Sequence, residues 1–211
     1  MEWNNKISEN VQAVPFSGIR KFFDLASTMK DVISLGVGEP DYAAPDRVID
    51  ACIESLKNKE TSYTSNWGLL ELREEISCLF KKRYGLEYDP MNEIMITVGV
   101  SEAITVVMQT ILNPGEEVIV FAPYFLEYGA YVRNYDGVLV EISPDTTSFQ
   151  PNLAEFEQKI TPKTRAVIVN TPHNPTGVVY SEETIKKLSA ILEAKQKEFG
   201  TVIYLISDEP Y

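Results

Sequence analysis

Asp208 and Tyr211 stand three residues apart directly after an apolar, strand-like run, a spacing that suits a clamp on a heterocyclic ring. His173-Asn174-Pro175-Thr176-Gly177 follows another apolar run and supplies an amide. After a third run, Gly99-Val100-Ser101-Glu102 opens a helix, and free N–H groups at a helix N-terminus bind phosphate. Pro123-Tyr124-Phe125, after a fourth, offers a flat aromatic. Each segment also has a plainer reading. Gly99 to Ser101 reads equally as a strand-to-helix turn with Ser101 as N-cap. Phe125 reads as core, Asn174 to Gly177 as a turn, and Asp208 as a cap. An anion site, an aromatic face, an amide and a carboxylate, all at strand C-termini, are together much harder to reach by chance.

The elements that must position these groups are legible as periodicities. Apolar runs at Ile94–Val98, Val118–Phe121, Val138–Ile142, Ala166–Val169 and Val202–Ile206 predict strands. Helical spacing separates several of them, at Glu102–Leu112, Leu126–Asn134, Leu153–Ile160 and Thr184–Lys197. Short continuous apolar strands alternating with helices predict an α/β fold, a largely parallel sheet covered by helices on both faces. Ligands of such sheets bind outside the carboxyl ends of the strands, where the four segments fall. Upstream, helical patterns run from Phe16 to Met29, over Val48–Leu56 and over Leu69–Phe80, with a turn-rich crossing at Leu35–Asp41. Residues 1–44 are expected to form an N-terminal segment outside the sheet, and residues 45–211 the sheet domain.

Composition narrows the function. The 211 residues carry 19 Lys and Arg against 31 Asp and Glu, a net charge of −12, which argues against nucleic acid or an anionic membrane as partner. No apolar run approaches the roughly 20 residues of a membrane span. The N-terminus has no signal-peptide or transit pattern, so a soluble cytoplasmic protein is expected. A single histidine, His173, cannot build a multi-histidine zinc site, and no metal is expected. No G-x-S-x-G elbow accompanies it for a serine triad. No G-x-G-x-x-G or Walker pattern follows the first strand. Cys52 and Cys78 suggest no disulfide, and Cys52, on an apolar helical stripe, is expected to be buried.

From Gly36 to Tyr211 the chain resembles the class I/II aminotransferases, fold-type-I enzymes dependent on pyridoxal 5′-phosphate (PLP). The matching segments are Gly38-Glu39-Pro40-Asp41-Tyr42, Tyr63-Thr64 with Trp67-Gly68 and Glu71-Leu72-Arg73, Thr97-Val98-Gly99 with Glu102-Ala103, Asn113-Pro114-Gly115, Asn174-Pro175-Thr176-Gly177 and Asp208-Glu209-Pro210-Tyr211. The resemblance implies that Asp208 pairs with the pyridine nitrogen and keeps it protonated. Tyr211 and Asn174 would hydrogen-bond the phenolic oxygen, and Phe125 would stack on the ring, where many relatives carry Trp or Tyr. Backbone N–H groups of Val100 and Ser101, with Glu102, would hold the phosphate. Gly38 would lie near the substrate carboxylate, and Tyr63 would reach the phosphate of a neighbouring subunit in a homodimer. Residues 1–44 would join the small domain or dimer arm.

The family's Schiff-base lysine and substrate-gripping arginine lie downstream of the matching clamp, so no catalytic lysine is expected within these residues. The chain reads as the N-terminal part of an enzyme exchanging an amino group between an amino acid and a 2-oxo acid, inactive by itself. A C–S lyase of the same fold and a non-catalytic PLP-binding module are the alternatives. The aromatics Tyr63, Trp67, Tyr124, Phe125 and Tyr128 suit an aromatic substrate or stacking against the cofactor equally.

Overall fold

A computed structural model describes residues 6–14, 18–33, 38 and 42–211. The turn-rich crossing expected at 35–41 lies outside the described residues except for Gly38, as does Phe16 at the start of its helix. The chain divides into two units, Ser17–Ala103 and Met1–Phe16 with Ile104–Tyr211.

The larger unit is built on four parallel strands, β1 (Glu117–Phe121), β2 (Val138–Ile142), β3 (Thr164–Asn170) and β4 (Tyr204–Asp208). Their order is β2-β1-β3-β4. The chain steps from β1 to one side, then returns past it to β3, so β1 and β3 flank the point where strand order reverses. That is where open parallel sheets leave a crevice beyond their carboxyl ends.

Alternate side chains of the two central strands feed two cores. Ile119, Phe121, Val167 and Val169 pack with Phe156 of α7 (Leu153–Lys159) and with Leu188 and Leu192 of α8 (Glu182–Phe199). Val118, Val120, Ala166 and Ile168 pack with Ile104 and Met108 of α5 (Gly99–Ile111) and with Tyr128 and Val132 of α6 (Glu127–Arg133). Period-two alternation in buried strands thus yields one apolar layer on each face, each covered by helices as the sequence predicts. The helix ends carry their expected chemistry. Ser181 caps α8 by accepting from the Thr184 N–H at 3.0 Å, and Gly200 closes it in the left-handed region at φ 66°.

The unit Ser17–Ala103 holds α2 (Gly18–Thr28), α3 (Asp46–Lys57), α4 (Leu70–Tyr84) and the first turn of α5. Here two expectations fail. Ile94–Val98 is not a strand. A ladder needs a neighbour, and among the described residues the backbone tie of this run to a distant segment is Ile96 N–H to the Trp67 carbonyl, 3.0 Å. Cys52 is exposed, because no described residue covers the apolar stripe of α3: Val48, Ile49, Ile53 and Leu56 are exposed with it. A short helix the periodicity did not show, α1 (Glu9–Ala13), is capped by Ser8. It is fastened within the larger unit, Asn10 donating to Asp136 at 2.9 Å and Arg133 donating to the Ala13 carbonyl at 3.0 Å.

Candidate functional site

Because all four strands run parallel, the segments after β1, β3 and β4 emerge on one edge of the sheet. Asp208 ends β4, paired in register with Asn170 at the end of β3. Both are buried polar residues. A carboxylate out of water requires donors, and the Tyr128 hydroxyl supplies one in a short hydrogen bond to Asp208 Oδ2. Among the described residues no donor reaches Asp208 Oδ1, which leaves that oxygen open to a ligand.

Asn170 ties the strands' ends to the following loop. Its Nδ2 donates to the Asp208 carbonyl at 2.8 Å, and its Oδ1 accepts from the Asn174 N–H at 2.7 Å. The loop is then closed on itself: His173 N–H donates to the Val178 carbonyl at 2.9 Å, and Gly177 N–H to the His173 carbonyl at 2.6 Å. His173 is buried, stacked on Tyr180 with ring centroids 5.5 Å apart, and its Nδ1 lies 2.7 Å from the Thr176 hydroxyl. Burial lowers its pKa, opposed by a hydrogen bond with the Phe121 backbone. The neutral ring therefore acts as a pin between the end of β1 and the turn after β3.

After β1, the Phe125 ring meets the edge of Tyr128, centroids 5.6 Å apart and planes at 77°. Tyr124 donates to Glu141 of β2 at 2.6 Å; its phenol is pushed up to about 12, by burial first and by that hydrogen bond second. The Tyr128 phenol is pushed far above its usual range by burial, then by the Asp208 hydrogen bond and charge, with smaller contributions from Tyr131 and Tyr211. Tyr128 remains a neutral donor, and Tyr211, exposed, stands within electrostatic reach of it.

Of the residues predicted from sequence, then, Phe125, Asn174, Asp208 and Tyr211 lie along one carboxyl edge, three of them joined by hydrogen bonds or ring contact. Val100, Ser101 and Glu102 sit in the first turn of α5, so Ser101 is not its N-cap. Gly99 opens that helix at φ 80°, and the Glu102 carboxylate accepts from the Val98 N–H. Tyr63 is fully exposed in the loop between α3 and α4, and Gly38 has open space where a side chain would project. Two contributors went unpredicted. Tyr128 was expected as an aromatic wall, but its hydroxyl is what holds Asp208. Asn170 was legible only as a polar residue ending an otherwise apolar buried strand, a signal that asks for partners without naming them.

Comparison with known proteins agrees with this geometry. The family profile for aminotransferase class I and II matches residues 30–211. The chain is 44% identical over 206 residues to the Bacillus subtilis protein YugH, named as an aminotransferase, covering 97% of this chain and 52% of that protein. It is 37% identical over 206 residues to aromatic-amino-acid aminotransferase 2 of Thermococcus litoralis, covering 97% and 51% respectively. Aspartate aminotransferase of Thermus thermophilus, solved with maleate, superposes with a TM-score of 0.88 at 36% identity, over 97% of this chain and 53% of that one. The chain thus spans about half the length of the relatives it matches. It belongs to the class I and II aminotransferases.

Proposed function

We propose that this chain supplies the coenzyme-holding part of a PLP-dependent aminotransferase that moves an amino group between an amino acid and a 2-oxo acid. The observation that carries the reading is the buried Asp208 carboxylate, one oxygen held by Tyr128 and the other, among the described residues, without a protein donor at the sheet's carboxyl edge. A protonated pyridine nitrogen is the partner such an oxygen lacks. When bound, PLP supplies an electron sink that stabilises the carbanion left by loss of a substrate's α-proton.

The chain's own residues bind and orient. Asp208 would hold a proton on the ring nitrogen, and the Tyr128 hydroxyl fixes the direction of that carboxylate. Asn174 and Tyr211 would donate to the phenolic oxygen, and Phe125 would cover a ring face. On the family resemblance, the amides of Val100, Ser101 and Glu102 take the phosphate, Gly38 leaves room for the substrate carboxylate, and Tyr63 serves a second copy in a homodimer. Five lysines of the larger unit have other places or partners. Lys163 precedes the amino end of β3, Lys159 donates to the Glu141 carbonyl at 2.6 Å, and Lys186, Lys187 and Lys195 pair with glutamates on α8.

The test is PLP binding by the 211-residue chain, followed by borohydride reduction and mass spectrometry. The expected result is binding that Asp208→Ala abolishes, no pyridoxyl-lysine adduct, and no transamination beyond that of free PLP. Binding indifferent to Asp208→Ala refutes the assignment of the ring nitrogen, and turnover by the chain refutes its dependence on a lysine outside these residues.

A further inference from the structure

We infer that Asn170 is a positioning residue that sets the Asn174 amide and the Asp208 carboxylate in one fixed spacing, so that the two ends of a single heterocycle are gripped together; this rests on the PLP reading above.

Asn170 is buried, and both ends of its side-chain amide are engaged: Nδ2 on the Asp208 carbonyl at 2.8 Å and Oδ1 on the Asn174 N–H at 2.7 Å. Its backbone is paired in register with Asp208, so the side chain adds one more cross-strand link where the β3–β4 ladder stops. The loop beyond has little else with which to reach β4. Pro172 and Pro175 have no N–H to give. The His173 and Gly177 amides are used inside the loop, and Val178 N–H approaches the Thr176 hydroxyl at 3.4 Å. Among the described residues, the hydrogen-bonded route from this loop to β4 runs through the Asn170 amide.

The chemistry explains the residue type. Only an amide of this length carries a donor and an acceptor on one rigid plane. Aspartate would accept from Asn174 but could not donate to the Asp208 carbonyl, and it would place a second negative charge beside the first. Leucine matches the size and lacks both functions, leaving a buried N–H and a buried carbonyl without partners. Asn170 touches neither ring position in this reading. It acts on the nitrogen end through Asp208 and on the phenolic end through Asn174.

The experiment uses the full chain, PLP labelled with 15N in the ring and 13C at the carbon bearing the phenolic oxygen, and the variants Asn170→Leu, Asp208→Asn and Asn174→Ala. Asn170→Leu is expected to weaken PLP binding about tenfold or more and to move both resonances. Asp208→Asn is expected to move the nitrogen resonance alone, and Asn174→Ala the carbon resonance alone. If Asn170→Leu melts earlier yet binds PLP with both resonances unmoved, Asn170 is merely structural and the inference is overturned. If the unsubstituted, folded chain binds no PLP, the cofactor reading itself fails and the inference falls with it. Should Asn170→Leu not fold, amide exchange of the unsubstituted chain decides: protection of the Asn174 N–H supports the link, and exchange at the unprotected rate overturns it.

Discussion

Tyr128→Phe is the sharpest perturbation of the cradle, because it deletes one oxygen and keeps the ring that meets Phe125 at 5.6 Å. The lost contact is a hydrogen bond to a buried carboxylate, and bonds to charged groups are worth about 1.5–3 kcal/mol net. A loss of about 2 kcal/mol is expected at neutral pH, a fall of about 4–8 °C in melting temperature for a chain of this size. The alkaline limb gives a second, independent signature. Burial first, and the Asp208 hydrogen bond second, hold the Tyr128 proton above the ordinary value of 10.0. Above that pH the unfolded chain releases a proton that the folded chain keeps, so the native state loses stability as pH rises. One such group contributes at most about 1.4 kcal/mol per pH unit. Urea unfolding at about pH 8 and about pH 11 measures both effects, with Tyr128→Phe expected to narrow the gap between the two pH values by about 1 kcal/mol. Equal stability at pH 8 together with parallel alkaline limbs would refute the assignment of Tyr128 as the buried donor to Asp208.

Other expectations follow from the same physics. The buried, neutral His173 has its pKa lowered, so its contribution is intact above 6.5 and fades as pH drops through the lower folded value; His173→Gln should flatten that acid limb in pH-dependent unfolding. Gly68 sits at φ 87° with the Ile96 Cβ only 2.5 Å from where a side chain would begin. Gly68→Ala should cost about 3 kcal/mol in urea unfolding, and a cost below about 1 kcal/mol would show that the Trp67–Ile96 contact yields easily. Phe156 is fully buried between α7 and the sheet, so Phe156→Ala should cost about 3–5 kcal/mol, read as a lower urea midpoint with an unchanged slope.

Much of this architecture is written in the residue pattern, and the gaps have physical causes. The runs at 118–121, 138–142 and 166–169 became strands almost unchanged, because a continuous apolar stretch between helices has few other ways to leave water. The run at 202–206 slid two residues, to Tyr204–Asp208, which makes Asp208 the last rung of the ladder rather than the second residue beyond it. Ile94–Val98 shows what periodicity omits: apolarity reports a wish to be buried, and only a bonded neighbour makes a strand. Cys52 failed for the matching reason, since an apolar stripe announces a covering surface without stating where that surface is. Asp208, Asn174, Phe125 and Tyr211 could be placed at strand ends because their chemistry is unusual there, and that is where they lie. Tyr128 and Asn170 could not be assigned their tasks, because each works through a partner 80 or 38 positions away.

Those separations also govern when the cradle comes into being. During synthesis, β1, β2, β3 and the helices that cover them can settle before β4 has left the ribosome, since their contacts close within earlier chain. Asp208 arrives with the last rung of β4, and the Tyr128 hydroxyl and Asn170 Nδ2 that meet it belong to earlier chain. In the reading proposed above, coenzyme capture therefore waits until Asp208 has joined β3. In that reading the coenzyme would meet a β3–β4 edge already paired, and would not be the seed around which β1, β2 and β3 assemble.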